Sequence, residues 1–338
     1  MSLPYTRSEV KDRARSHWKG ACNVTLPSFT PDLRNLNEGG IAHDVRLCAQ
    51  WGFWGTLIAS ESGTTVDEYI QFMEIAADAA PNGFHLVTHL SFSTFSESAR
   101  VAKAAEALGF EGALLAYAPG FVPSDAEDIV KYTAAMAAET DLALILFAVL
   151  TWGFRSIDPR GFPLDALDRM ADIDTAACIK FEAGGPASMA ALGEVVERCG
   201  SRVLVENPME QYGPALVDWF GQQFMATSAY DSFGDRVPKW FALLNEGRRR
   251  EAMDLFWSYQ NLREAKGAFH QTFGGANLIH RTGWKYLGWL HGMNGGLLRM
   301  PQMRLVPGQM RSLRQAAVAS GYALPEDDAG FYVGRVQS

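Results

Sequence analysis

The sequence predicts an α/β chain folded as a (β/α)8 TIM barrel with a C-terminal helical extension, and three observations predict it. First, short runs rich in Val, Leu, Ile, Ala and Phe recur eight times. Second, a polar or glycine-containing turn and then an amphipathic stretch follow most of them, the pattern of a parallel sheet covered by helices. Third, no G-x-G-x-x-G follows any run, which disfavours the doubly wound open sheet as the alternative. Eight such units over about 230 residues match the size of an eightfold barrel.

The runs are, in order, ACNVTLPSF (21–29), GTLIAS (55–60), FHLVTHL (84–90), GALLAYA (112–118), LALILFAVL (142–150), AACIKF (176–181), RVLVEN (202–207) and FMATSA (224–229). The intervening stretches carry helix signals. In STFSESARVAKAAEALGF, Thr94 and Glu97 have capping-box spacing, and Val101, Ala105 and Leu108 share one face. Gly109 is placed to end that helix. TTVDEYIQFMEIAADAAPNG and SDAEDIVKYTAAMAAETD follow the same logic. Beyond residue 248 the pattern is helical only, so residues 1–248 are expected to form the barrel, with a short N-terminal segment. Residues 249–338 are expected to form a helical extension packed on it.

Bulk properties bound the function. Of 338 residues, 48% are apolar and 20% charged, ordinary for a chain with a sizeable core. A formal net charge of −8, without a Lys/Arg run, argues against a nucleic-acid partner and leaves room for a small anion. The four cysteines are widely spaced, with no C-x-x-C pair, which fits a reduced, cytoplasmic protein. The charged start lacks an apolar core, so no signal peptide is expected. The run 142–150 is too short to span a bilayer, so no membrane association is expected either.

Active sites of such barrels form at the C-terminal ends of the strands. Lys180 falls there on the sixth run, in TAACIKFEAGG, and alternation puts Cys178, Lys180 and Glu182 on one side. A lysine buried in a low-dielectric pocket loses its proton more easily, and a neutral amine is what imine formation with a carbonyl requires. The plain alternative is an ion pair between Lys180 and Glu182 that does no chemistry.

Several stretches resemble the dihydrodipicolinate synthase/N-acetylneuraminate lyase family of class I, Schiff-base aldolases. IKFEAGG (179–185) resembles the stretch holding that family's imine-forming lysine, and ESGTTVDEY (61–69) its motif after the second strand. LGFEGALLAYAPGFVP (108–123) resembles the segment around its fourth strand. GWKYLGWLHGMNGGLLRMPQMRLVPGQMRSL (283–313) follows its C-terminal pattern. The resemblance implies a lyase of aldolase, hydratase-aldolase or dehydratase type, with Lys180 forming a Schiff base with pyruvate or another 2-oxo acid. It also implies a homodimer or homotetramer; no cofactor is expected, and no H-x-H or similar spacing points to a metal.

Departures accompany it. The glycine- and threonine-rich loop that holds the substrate carboxylate is shortened, leaving Ser60 and Ser62 as the local hydroxyls. Phe147 stands where the family has its proton-shuttling tyrosine, and Phe121 aligns with a second tyrosine. Phenylalanine cannot do acid–base work, so this chain reads as a divergent member without the usual relay. Glu182 and Glu206 are the candidates to replace it. His89, Tyr117, Tyr230 and Asp231 are further titratable groups near strand ends. Arg155, with Arg160 in the same loop, is the candidate carboxylate-binding cation. Ser228 is a candidate contact in the eighth run. Trp152, Phe154 and Phe121 hint at a larger or aromatic substrate.

Two other readings remain at this level. Glu182, Glu206 and Asp231, at the ends of consecutive strands, fit a metal-dependent barrel enzyme. Loss of both tyrosines also fits a catalytically impaired protein that binds 2-oxo acids or regulates.

Overall fold

A computed structural model describes residues 3–274 and 279–336. All eight runs form strands: β1 (Gly20–Thr25), β2 (Gly55–Ile58), β3 (His85–Leu90), β4 (Gly112–Leu115), β5 (Ala143–Val149), β6 (Ala176–Glu182), β7 (Leu204–Glu206) and β8 (Phe224–Ala226). They make one sheet in the order β7-β6-β5-β4-β3-β2-β1-β8, a nearly closed barrel in which β1 pairs β8 in parallel. The expected (β/α)8 TIM barrel is therefore the fold, followed by helices. Among the described residues no helix is long and apolar enough to cross a membrane.

The chain divides into two compact units. The first comprises residues 1–22 and 85–228 and carries β3 to β8 with the start of β1. Its strands are buried nearly throughout, as continuous apolar runs require. Helix Phe95–Leu108 begins as its sequence predicts: the Thr94 hydroxyl accepts from the Glu97 N–H, and Glu97 returns to the Thr94 backbone. Gly109, at φ 79°, ends it in the left-handed conformation that glycine adopts without strain. At the N-terminal ends of the strands, the buried Glu111 carboxylate is a hub. It accepts two hydrogen bonds from Arg13 (2.9 and 3.1 Å) and one from the Trp18 indole (3.0 Å), with His85 Nδ1 at 3.2 Å.

The second unit comprises residues 23–84 and 229–338. Its helix Val66–Ala79 opens with a Thr65–Glu68 capping box, and Tyr69 on it donates to the Ile58 carbonyl at the end of β2 (2.6 Å). The later helices include Arg236–Asn245, Gln260–Gly274, Arg281–His291 and Pro307–Ala319. The Trp240 indole donates to the Tyr259 hydroxyl (2.6 Å), and Phe331 packs edge-on against Tyr286. Buried Asp44 accepts from the Asn294 N–H, fixing the turn after Arg281–His291.

Some strands stop short of their apolar runs. β1 ends at Thr25, two residues before Pro27, which has no N–H to give a ladder. β4 ends at Leu115; Tyr117, two residues on and on the same side as Leu115, reaches the helix layer, its hydroxyl 3.1 Å from the Thr133 hydroxyl of helix Ala126–Glu139.

Candidate active site

Register assembles the site in the first unit. Phe147 of β5 pairs with Lys180 of β6, and Lys180 with Glu206 of β7. Partners on adjacent parallel strands point to the same face, so these three side chains form one row. One layer lower, His89, Leu114, Ile145 and Cys178 form another row.

Lys180 is buried, with 4% of its surface exposed. Its Nζ donates to the Thr227 carbonyl (2.9 Å), lies 3.3 Å from the Thr227 hydroxyl and pairs with Glu182 Oε1 at 3.0 Å. To reach Thr227, just past β8, the side chain must pass over β7, and it does so on the concave face of the sheet. The ammonium also sits 4.3 Å from the centroid of the Phe147 ring. A ring face is a favourable seat for a cation.

Glu206 is fully buried. Its Oε2 accepts from the Ala226 N–H at 3.1 Å, and its Oε1 has no hydrogen-bond partner among the described residues. Burial pushes its carboxyl well above the usual range, and the charge of Lys180 only partly offsets this. The strand end is held by reciprocal amide bonds. Asn207 N–H donates to Gln222 Oε1 (2.9 Å), Gln222 Nε2 donates back to the Asn207 carbonyl (3.1 Å), and Asn207 Nδ2 donates to the Phe181 carbonyl of β6 (2.8 Å). Cys178, beneath Lys180, has its thiol pushed up by burial and by Glu206, which suits an inert core cysteine.

The loop after β5 supplies the rim. The Trp152 indole donates to the Phe147 carbonyl (2.8 Å), and its ring meets Phe147 edge-on at 5.6 Å. From Trp152 the aromatic contacts continue to Tyr117 (5.9 Å), on which Phe121 stacks at 5.4 Å, and Phe154 joins the same cluster. Phe121 is thus linked to Phe147 through two intervening rings. Tyr117, with its hydroxyl on Thr133 and its ionisation suppressed by burial, belongs to the helix layer.

The two arginines of that loop differ. Arg160 is tied to Asp158 (2.9 and 2.7 Å) and Glu194 (2.9 Å). Arg155 is exposed and makes no hydrogen bond or ion pair among the described residues. Its guanidinium lies against Gly185, where an added Cβ would come within 3.2 Å of Nη2. That glycine follows Glu182 by three residues, so Arg155 stands beside the turn that leaves β6. Ser228, half-buried, follows Thr227 directly.

Ser60, Ser62, Tyr230 and Asp231 lie in the second unit. Ser62 is fully buried, and its N–H donates to the Ser60 carbonyl at 2.8 Å. The backbone N–H groups of Tyr230 and Asp231 both donate to the Asn23 side chain (2.9 and 3.0 Å). Burial raises the Asp231 carboxyl to about 7, with Lys266 opposing and Asp44 adding. Among the described residues no three His, Cys, Asp or Glu side chains converge as a metal would need, so the geometry lends the metal-dependent reading no support. Thr227 is the residue that sequence reasoning missed. The only signal was the hydroxyl-rich TSA after β8, and its role comes from a carbonyl that every residue has.

Fold and site together define a (β/α)8-barrel protein with a buried lysine at the end of its sixth strand, flanked by two glutamates. The particular family follows from comparison: a family model described as the dihydrodipicolinate synthetase family matches residues 59–289, and the chain belongs to that family. The 4-hydroxy-tetrahydrodipicolinate synthase of Syntrophobacter fumaroxidans is 26% identical over 176 residues, 51% of this chain. That match covers 55% of the relative, so the chain spans about half the length of the curated relative it matches. The N-acetylneuraminate lyase of Fusobacterium nucleatum shares the fold with a TM-score of 0.72 at 18% identity, over 89% of this chain and 98% of that one. The dihydrodipicolinate synthase of Aquifex aeolicus does so with a TM-score of 0.76 at 16% identity, over 91% and 100%. The Fusobacterium lyase has also been solved in complex with pyruvate.

Proposed function

We propose that this protein is a lyase of aldolase, hydratase-aldolase or dehydratase type, in which Lys180 forms a Schiff base with pyruvate or another 2-oxo acid. The observation that carries the reading is the seat of the Lys180 amine: buried at the functional end of β6, 3.0 Å from Glu182 and aimed across the concave face to Thr227. Family membership and the pyruvate complex of the Fusobacterium lyase support the same substrate class.

An imine nitrogen drains electrons from the neighbouring carbon, so a bond β to it breaks or forms, or water leaves. Glu182, within reach of Nζ, is the base that frees the amine. With Phe147 in the family's tyrosine position, no phenol stands on β5 beside the amine, and carboxyls do the proton work instead. Arg155, uncommitted to any acidic side chain, is the cation for the substrate carboxylate. The indole of Trp152 and the ring of Phe147 give the rim an apolar wall, which favours substrates with an aromatic or extended group. Assembly as a homodimer or homotetramer is the family's habit and is proposed on that ground.

The test is borohydride reduction with pyruvate and then with a panel of larger 2-oxo acids, followed by peptide mass spectrometry. A reduced adduct on Lys180 is expected. Absence of one with every 2-oxo acid, in a protein that melts cooperatively, removes the reading.

A further inference from the structure

We propose that Glu206 is the acid that protonates the substrate's carbonyl oxygen as Lys180 adds to it. This deepens the Schiff-base reading above and rests on it. Lys180 and Glu206 are register partners, and their side chains end on consecutive residues past β7: Nζ on Thr227 and Oε2 on Ala226. The two side chains therefore end on the last residue of β8 and the residue after it. The other Glu206 oxygen is buried without a partner among the described residues. A charged carboxylate left so is costly, whereas a neutral carboxyl carries its own O–H on that oxygen, ready to donate. Burial favours the neutral form, and the charged or titratable neighbours in this unit are Lys180, Glu182 and Cys178, all on β6. Glu182 differs in every respect: it is part-exposed and paired directly with Nζ. Two carboxyls whose surroundings differ in this way divide into base and acid.

The protons balance. Glu182 takes one from the Lys180 ammonium. The nitrogen pair then bonds the keto carbon while the carbonyl π pair moves to oxygen, and Glu206 protonates that oxygen. Glu206 recovers a proton from the carbinolamine nitrogen. The C–O bond breaks, and the hydroxyl leaves as water with the proton held by Glu182. Two protons have moved from nitrogen to oxygen, the iminium keeps one, and both glutamates return to their starting forms.

The experiment is rapid-quench borohydride trapping of the pyruvate adduct between pH 5 and 9, in the native sequence, Glu206→Gln and Glu206→Asp. Glu206→Gln keeps the shape and the Ala226 contact but has no acidic proton. It is expected to slow adduct formation by about 100-fold while the final trapped fraction at saturating pyruvate and the melting temperature stay close to wild type. Glu206→Asp should fall between the two and keep the pH dependence that Glu206→Gln loses. Adduct formation at the wild-type rate in Glu206→Gln overturns the assignment of Glu206 while leaving Lys180 in place. If Glu206→Gln does not fold, Glu206→Asp decides: a rate and pH profile equal to wild type overturn the proposal. No adduct in the native sequence with pyruvate or any other 2-oxo acid overturns both readings at once.

Discussion

The side chains of Lys180 and Glu206 lie side by side on adjacent parallel strands and terminate on neighbouring residues, Thr227 and Ala226. A cation and a buried acid so placed would be a poor stability device, because taking both out of water costs more than a partial pairing returns. The proposed chemistry gives the arrangement a use, and the partly exposed Glu182 supplies the direct counter-charge.

Lys180→Met should abolish borohydride-trapped adduct altogether. The remaining Glu182 is part-exposed and rehydrates, so the destabilisation should stay below the roughly 3–5 kcal/mol of a broken, fully buried pair. Mass spectrometry and a denaturant melt on the same sample check both parts.

Thr227→Val tests whether Lys180 is held by backbone or side chain. The shorter bond goes to the carbonyl at 2.9 Å and the hydroxyl is at 3.3 Å. Losing the hydroxyl alone should slow adduct formation by less than about tenfold. A complete loss would mean that the hydroxyl itself takes part.

The two arginines after β5 should separate cleanly. Arg155→Ala should raise KM for the 2-oxo acid by roughly tenfold or more and leave the melting temperature unchanged. Arg160→Ala, which breaks contacts to Asp158 and Glu194, should leave KM alone and cost about 1 kcal/mol of stability.

Glu111 gives a pH test remote from the site. Burial pushes its carboxyl up, but hydrogen bonds from His85, Arg13 and Trp18 outweigh that and hold it at about 2, against an ordinary 4.5. A depressed carboxyl stabilises the fold at pH values above its unfolded pKa, and that contribution is lost as pH falls from 4.5 through 2. Glu111→Gln should therefore cost on the order of 3 kcal/mol at pH 7, with the gap to wild type closing between pH 4.5 and 2. Melting curves across that range check it.

Much of the fold was legible because its signals are local. Thr94 with Glu97 and then Gly109 bracket a helix by capping chemistry alone, and the structure places the helix between them. Lys180 was legible as well, since a strand-end lysine is unusual whatever surrounds it. Tyr117 was not: a run of apolar residues does not say which face looks inward, and only the register that puts Leu114 in the row of Ile145 and Cys178 leaves Tyr117 on the outer side, against Thr133. Arg155 and Arg160 look alike in sequence, and they differ because Asp158 and Glu194 converge on one of them.

By itself the sequence determined the eight strands, the helices between them and the amine at the end of the sixth, because periodicity, capping and residue type act over a few neighbours. The tertiary structure alone decided which groups meet that amine. Strand register aligned Phe147, Lys180 and Glu206 from segments about thirty residues apart, and the path across β7 brought Nζ to a carbonyl of Thr227. Register is a property of pairs of strands, and a backbone carbonyl leaves no mark in the order of the side chains.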